Sequence, residues 1–297
     1  MAKYDAMGDR VKSRVPVALW IMLLGIVVGT AGFIWCMNTD LKKYTKTENL
    51  YADQDTTDIK NLDFEFDSAN VTISPSTDKQ IHVSIENAPE GVYTFGEKDG
   101  TFYIHKKKML SILKWSGISK IPFLKDVYPE AKINVQIPEG MEFDSVNIEC
   151  SVSEAAVKGI TCEKLTIENG MGTIKLLDCK AEKTDIDNGM GKVEATDSTL
   201  GKTDIDNGMG LVKLTDCELD ETDVDNGMGK IDITADIKGD IDIDNGMGGF
   251  TLRLSGSGED YRVTGDDADV KGRSGSRDAK YKISVDNGMG DVDIIFD

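Results

Sequence analysis

Histidine is almost missing from this 297-residue chain, with only His82 and His105 present. That scarcity argues against a His-rich metal centre or His-based catalysis, the usual roles of imidazole. Aromatic residues make up 7% of the chain, too few for a large aromatic core. Proline is also sparse, 6 against 30 glycines, so turns are frequent but seldom proline-built. Basic residues are outnumbered, 34 Lys+Arg against 53 Asp+Glu, for a formal net charge of −19. Such a chain lacks the basic footprint that nucleic-acid binding requires, so no nucleic acid is expected as a partner.

What is present begins with an uncharged run at 15–37, VPVALWIMLLGIVVGTAGFIWCM. It is long enough to cross a hydrocarbon core of ~30 Å as a helix. Trp20 and Trp35 lie near its two ends, where amphipathic rings favour the interface. Lys3, Arg10, Lys12 and Arg14 precede it, and Lys42, Lys43 and Lys46 follow. The slight basic excess before the run favours an N-inside orientation. Apolar residues continue through Phe33, Ile34 and Trp35, further than the core of a cleaved signal peptide. Those three residues also fit poorly before a lipoprotein cysteine at Cys36. The expected order is a cytoplasmic tail at 1–14, a transmembrane helix at 15–37 and a linker at 38–57. The membrane is thus a partner through 15–37, and the part that follows the span, 38–297, would lie outside the cell.

Further along, Asn-Gly-Met-Gly recurs with its Asn at Asn169, Asn188, Asn207, Asn226, Asn245 and Asn287. The first four spacings are 19 residues, and the last is two periods plus four residues. Thr264-Gly265 stands where a motif is skipped, which suggests a degenerate coil in phase, with the extra residues at 271–277. A short fixed period marks a solenoid. Two residues before each Asn stand Ile167, Ile186, Ile205, Val224, Ile243 and Val285. Five after it stand Ile174, Val193, Val212, Ile231, Phe250 and Val292; seven after it stand Leu176, Ala195, Leu214, Ile233, Leu252 and Ile294. This is period-2 strand patterning on both sides of a turn. The fold class is therefore all-β: a parallel β-solenoid of 19-residue, two-strand coils, at 150–297, burying its aliphatic columns between two sheets. Its eight coils would form a rod roughly 40 Å long at ~4.8 Å per coil. Within the motif, the Asn side chains should form a ladder and the glycines should supply positive φ. The Met should tuck inward as a filler.

Residues 58–149 alternate like strands at 62–75, 80–86, 92–105 and 132–138, with a hairpin signal at Lys98-Asp99-Gly100. They read as a β-rich N-terminal cap for the open end of the solenoid. The segment at 133–157, INVQIPEGMEFDSVNIECSVSEAAV, followed by strand pairs turning on Gly, resembles the bacterial "putative adhesin" β-strand-repeat family, a domain of unknown function. The likeness covers about 58–297, and the anchor would make this a membrane-anchored member. It implies a membrane-associated or exported envelope protein, with some members linked to envelope-stress regulation, and brings no active site.

Several constellations could carry chemistry. Asp185, Asp204, Asp223 and Asp242 form one outward column; Asp187, Asp206, Asp225 and Asp244 form another, with Glu168 and Asp286 at its ends. Like charges stacked at ~4.8 Å repel, so the columns are a candidate Ca²⁺-binding face; the plainer reading is a solvated acidic face. Paired carboxylates also admit a glycoside-hydrolase reading, but they are near-identical from coil to coil and none has a distinctive environment. Besides Cys36, the cysteines are Cys150, Cys162, Cys179 and Cys217. Cys179 and Cys217 lie two coils apart in one column, beyond disulfide reach, so these residues read as small apolar fillers, and no spacing matches a zinc site. The stretch at 106–125, KKKMLSILKWSGISKIPFLK, is basic and apolar, with Trp115 and Phe123 as possible contacts for lipid or a partner. The expected function is noncatalytic: adhesion, envelope interaction or sensing, with an envelope protein or polysaccharide as ligand. The alternatives are a Ca²⁺- or polysaccharide-binding component, a carbohydrate-active enzyme, or a cytoplasmic scaffold with reversed topology. No cofactor is expected apart from the possible Ca²⁺.

Overall fold

The computed structural model describes residues 47–56, 58–106, 131–265 and 268–296. The expected membrane span at 15–37 and the residues Trp115 and Phe123 lie outside them. Among the described residues, no helix is long and apolar enough to cross a membrane.

The strands before the repeats are β1 (Thr47–Asp55), β2 (Asn61–Phe66), β3 (Ala69–Ser76), β4 (Gln80–Pro89), β5 (Tyr93–Lys98) and β6 (Thr101–Lys106). They continue with β7 (Ala131–Pro138), β8 (Glu142–Cys150) and β9 (Glu154–Lys158). The repeats supply β10 (Thr161–Asn169), β11 (Thr173–Leu177), β12 (Lys180–Asn188), β13 (Lys192–Thr196) and β14 (Thr199–Asn207). They go on through β15 (Leu211–Asn226), β16 (Lys230–Ile237), β17 (Ile241–Asn245) and β18 (Gly249–Leu254). After a 3₁₀ turn at Gly258–Asp260 come β19 (Tyr261–Gly265), β20 (Ala268–Lys271), β21 (Tyr281–Asn287) and β22 (Asp291–Phe296).

Each coil runs strand, Asn-Gly-Met-Gly corner, strand, second corner, and its successor repeats the path 19 residues later in parallel register. Ile167, Ile186, Ile205, Val224 and Ile243 are consecutive partners in one ladder. Ile174, Val193, Val212, Ile231 and Phe250 are partners in the other. These columns are buried and form one continuous apolar core. Among the described residues, the strands constitute a single 22-stranded sheet rather than two separate ones. The reason is visible in β15, which passes the second corner unbroken and pairs on both sides of it.

The second corner turns on a left-handed residue: Gly159, Asp178, Asp197 and Asp216 have φ of 71°, 53°, 51° and 54°. Asp adopts this region more readily than most residues. The glycines of the repeated motif are not in that region, which corrects the expectation from sequence. Their role is space. A Cβ at Gly191 would lie 2.2 Å from Asn169 Nδ2 and 2.6 Å from the Gly172 carbonyl oxygen. Successive coils approach so closely at this corner that only hydrogen fits.

Both ends depart from sequence order. At the C-terminal end β17 pairs with β21 rather than β19, matching Asn245 to Asn287, and β18 pairs with β22. The strands β19 and β20 pair with the far sides of β21 and β22. The Thr264 coil therefore does not sit in phase between its sequence neighbours. It is laid over the last coil and closes the stack. At the other end, β2 lies between β6 and β8, and β3 between β7 and β9, all parallel. The coil architecture thus begins well before residue 150. Antiparallel strands finish this end: β5 on β6, with the turn at Asp99 and Gly100 (φ 51° and 76°), and β4 on β7. The strand β1 then pairs antiparallel with β4; 47–55, expected to be linker, is part of the sheet.

Aromatic rings are concentrated at these ends. Phe64 packs edge-on to Phe102, and Tyr261 stacks against Tyr281 and Phe296. Between them the core is nearly all aliphatic, because identical coils must present identical volumes to one another.

Candidate interaction surface

The Asn-Gly-Met-Gly corner is built around a buried amide ladder. Asn169 Nδ2 donates to Asn188 Oδ1 at 2.8 Å, and the pattern continues through Asn207, Asn226, Asn245 and Asn287 at 2.7–2.8 Å. Each amide also donates to the backbone carbonyl of the second glycine of its own motif, as Asn188 does to Gly191 at 3.2 Å. The ladder's first acceptor, Asn169 Oδ1, is buried with no hydrogen-bond partner among the described residues. One rung before it stands Cys150 rather than Asn. An open cleft of about 360 Å³ lies there, lined by Glu149, Cys150, Ser151, Glu168, Asn169 and Met171 among others.

The methionines point outward, contrary to the expectation of an inward filler. Met171, Met190, Met209, Met228, Met247 and Met289 are 46–81% exposed. Their backbone N–H groups hold the stack, as in Met190 N–H to the Gly170 carbonyl at 2.8 Å, but the side chains project into solvent. The glycines on each side were the available signal: they remove the neighbouring walls an inward side chain would need.

Asp185, Asp204, Asp223 and Asp242 stand in direct register, ending against Ser284. Asp187, Asp206, Asp225, Asp244 and Asp286 form the second column, beginning from Glu149 and Glu168. Both columns lie on the outer face of the first set of strands. Partial burial, followed by repulsion from Asp223, Asp185 and Asp206, raises the Asp204 carboxyl above its ordinary value. Lysines relieve some of the charge: Lys164 reaches Asp185 at 2.6 Å, and Lys202, paired with Glu221 beside the columns at 2.9 Å, acts on Asp204 through its charge. Among the described residues, no three His, Cys, Asp or Glu side chains converge in a metal-holding cluster. The opposite face is arranged differently. Lys175, Glu194, Lys213 and Asp232 alternate in sign along their ladder, so cross-strand neighbours attract.

The four described cysteines are free and buried. Burial pushes the Cys150 and Cys162 thiols up to about 12, and the Cys179 and Cys217 thiols upward for the same reason. They are inert core residues. Sequence reasoning passed over two ionic contacts. His82 on β4 bridges Asp53 of β1 at 2.5 Å and Asp78 at 2.8 Å. Lys106 donates to Ser151 Oγ at 2.6 Å and faces Glu149 at 3.7 Å. The His82–Asp53 and Lys106–Ser151 contacts link segments far apart in sequence, so no local spacing announces them.

An all-β, parallel-coil solenoid with a repetitive, solvent-facing surface defines the class of this protein. The chain belongs to the Toastrack DUF4097 family, whose profile matches residues 59–295. No curated protein matches it. Among solved structures, it is similar to one described as a "putative lipid binding protein" from Parabacteroides distasonis ATCC 8503. The identity is 14%, covering 85% of this chain and 98% of that one, with a TM-score of 0.52. A "putative adhesin" from Bacteroides fragilis NCTC 9343 matches at 15% identity, 85% and 98% coverage and a TM-score of 0.39. At these identities the P. distasonis likeness speaks to the fold alone.

Proposed function

We propose that this protein is a noncatalytic interaction module, anchored to the membrane through 15–37, that displays its solenoid outside the cell for adhesion or envelope sensing. The observation that carries this reading is the surface. Its distinctive side chains, the methionines and the two aspartate columns, are repeated coil after coil on open faces. A repeated face suits an extended ligand, such as a polymer or another protein, better than a single small substrate. Protease shaving of intact cells tests the topology: loss of the 47–297 unit with protection of the N-terminus supports it, and full protection overturns it. Cell-surface crosslinking followed by identification of captured chains then tests for an envelope partner.

A second reading, Ca²⁺ binding on the acidic face, is favoured by the in-register aspartates and the raised Asp204 carboxyl. Calorimetry at millimolar Ca²⁺ decides it. Heat and a melting shift support it; neither, and the acidic columns are simply a solvated face.

A further inference from the structure

The corner motif divides into residues the coil needs and one it does not. Asn supplies the buried ladder. The second glycine leaves room for the amide of the preceding rung, since a Cβ at Gly210 would fall 2.2 Å from Asn188 Nδ2. The first glycine lies under the preceding corner, where a Cβ at Gly227 would come within 2.9 Å of the Gly208 carbonyl oxygen. The Met contributes only its backbone N–H to the stack, which any residue but proline could do. Yet Met occupies this place in all six motifs, exposed each time. One rung before Met171, where Ser151 and Ser153 stand in place of the two glycines, the equivalent residue is Val152, and it is 4% exposed.

We propose that this row of thioethers is a binding site for soft monovalent metal ions, Cu(I) in chemical class. The parallel register sets successive methionine backbones one rung apart, ~4.8 Å. With three rotatable bonds each, neighbouring side chains can bring two or three sulfurs onto one ion. Thioethers are neutral, soft donors that select Cu(I) over Ca²⁺, Mg²⁺ or Zn²⁺ and bind without releasing a proton. The described thiols, the other soft donors, are all buried with raised pKa values, leaving the methionines as the accessible sulfur. Three residues before each Met from Met190 to Met289 stands Asp187, Asp206, Asp225, Asp244 or Asp286. These columns raise the local concentration of cations beside the sulfurs without themselves being soft ligands.

The test uses Ag(I), a redox-inert probe of the same class, titrated into the full chain labelled at its methionine methyl carbons. The methyl signals of Met171, Met190, Met209, Met228, Met247 and Met289 should shift together, saturating at roughly one ion per two or three thioethers. A variant with Met190→Leu, Met209→Leu, Met228→Leu and Met247→Leu keeps the apolar volume and removes the sulfur. It should retain the wild-type melting temperature and lose the bound ions. Unmoved methyl signals, or undiminished Ag(I) binding by the leucine variant, would overturn the proposal; the latter would place the ion on other donors.

Discussion

Asn207 accepts from Asn188 and donates to Asn226, and its side chain is fully buried. Replacing it with Ala strands an acceptor on Asn226 and costs one amide its partner. The expected loss is about 1–3 kcal/mol, the usual penalty for an orphaned buried polar group, read from a urea melt. Gly210→Ala should cost more, about 3 kcal/mol, because the added methyl meets amide and carbonyl atoms at 2.2–2.4 Å. Met209→Ala, between those two positions, should stay within about 0.5 kcal/mol of wild type. Equal costs at Gly210 and Met209 would show that the corner is not packed as described. The ladder was legible because a fixed spacing puts identical amides in register. The orientation of Met and the conformation of Gly were not, since both depend on how closely the next coil approaches, a distance the sequence does not carry.

At the scale of elements, β1 is held to β4 by backbone pairing and by His82 between Asp53 and Asp78. Hydrogen bonds to Asp53 and then Asp78 raise the His82 pKa above its ordinary value, and the bond to His82 lowers that of Asp78. A raised histidine pKa stabilises the folded state fully below the unfolded value, about pH 6.5. The contribution is lost as pH climbs through the folded pKa. Asp78 acts oppositely: its share is present above about pH 4 and vanishes as pH falls through its lowered value. The melting temperatures of wild type and His82→Gln should therefore differ most between roughly pH 4 and pH 6.5 and converge at alkaline pH. A difference that grew with rising pH would contradict this. Strand β1 itself was hidden in sequence, where 47–55 is polar and without clear alternation; it forms because β4 presents an open edge. The hairpin of β5 and β6 was readable from Asp99-Gly100 alone, since local turn chemistry fixes it.

For the whole molecule, the periodicity of the aliphatic columns was enough to give an all-β parallel coil, because burial demands that every rung match its neighbours. The order of the coils was not readable. Any coil with the right pattern can stack on any other, so the last coil can slip beneath the one before it. The aromatic Tyr261, Tyr281 and Phe296 then pack together where the Thr264 coil covers the end. The same economy explains the antiparallel strands at the other end: a solenoid with both edges open would pair with its own copies.

The central claim is an in-register stack of coils whose last member in sequence lies next to Asn245 in space. It is tested most directly by spin labels at Glu168→Cys and Asp286→Cys, both on the outward acidic column. Five rungs separate these residues in the observed order, so their backbones should be about 24 Å apart. The distance should exceed that of a Glu168→Cys/Asp244→Cys control by one rung, ~5 Å. An increment of two rungs, ~10 Å, would place the Thr264 coil between them and contradict the account.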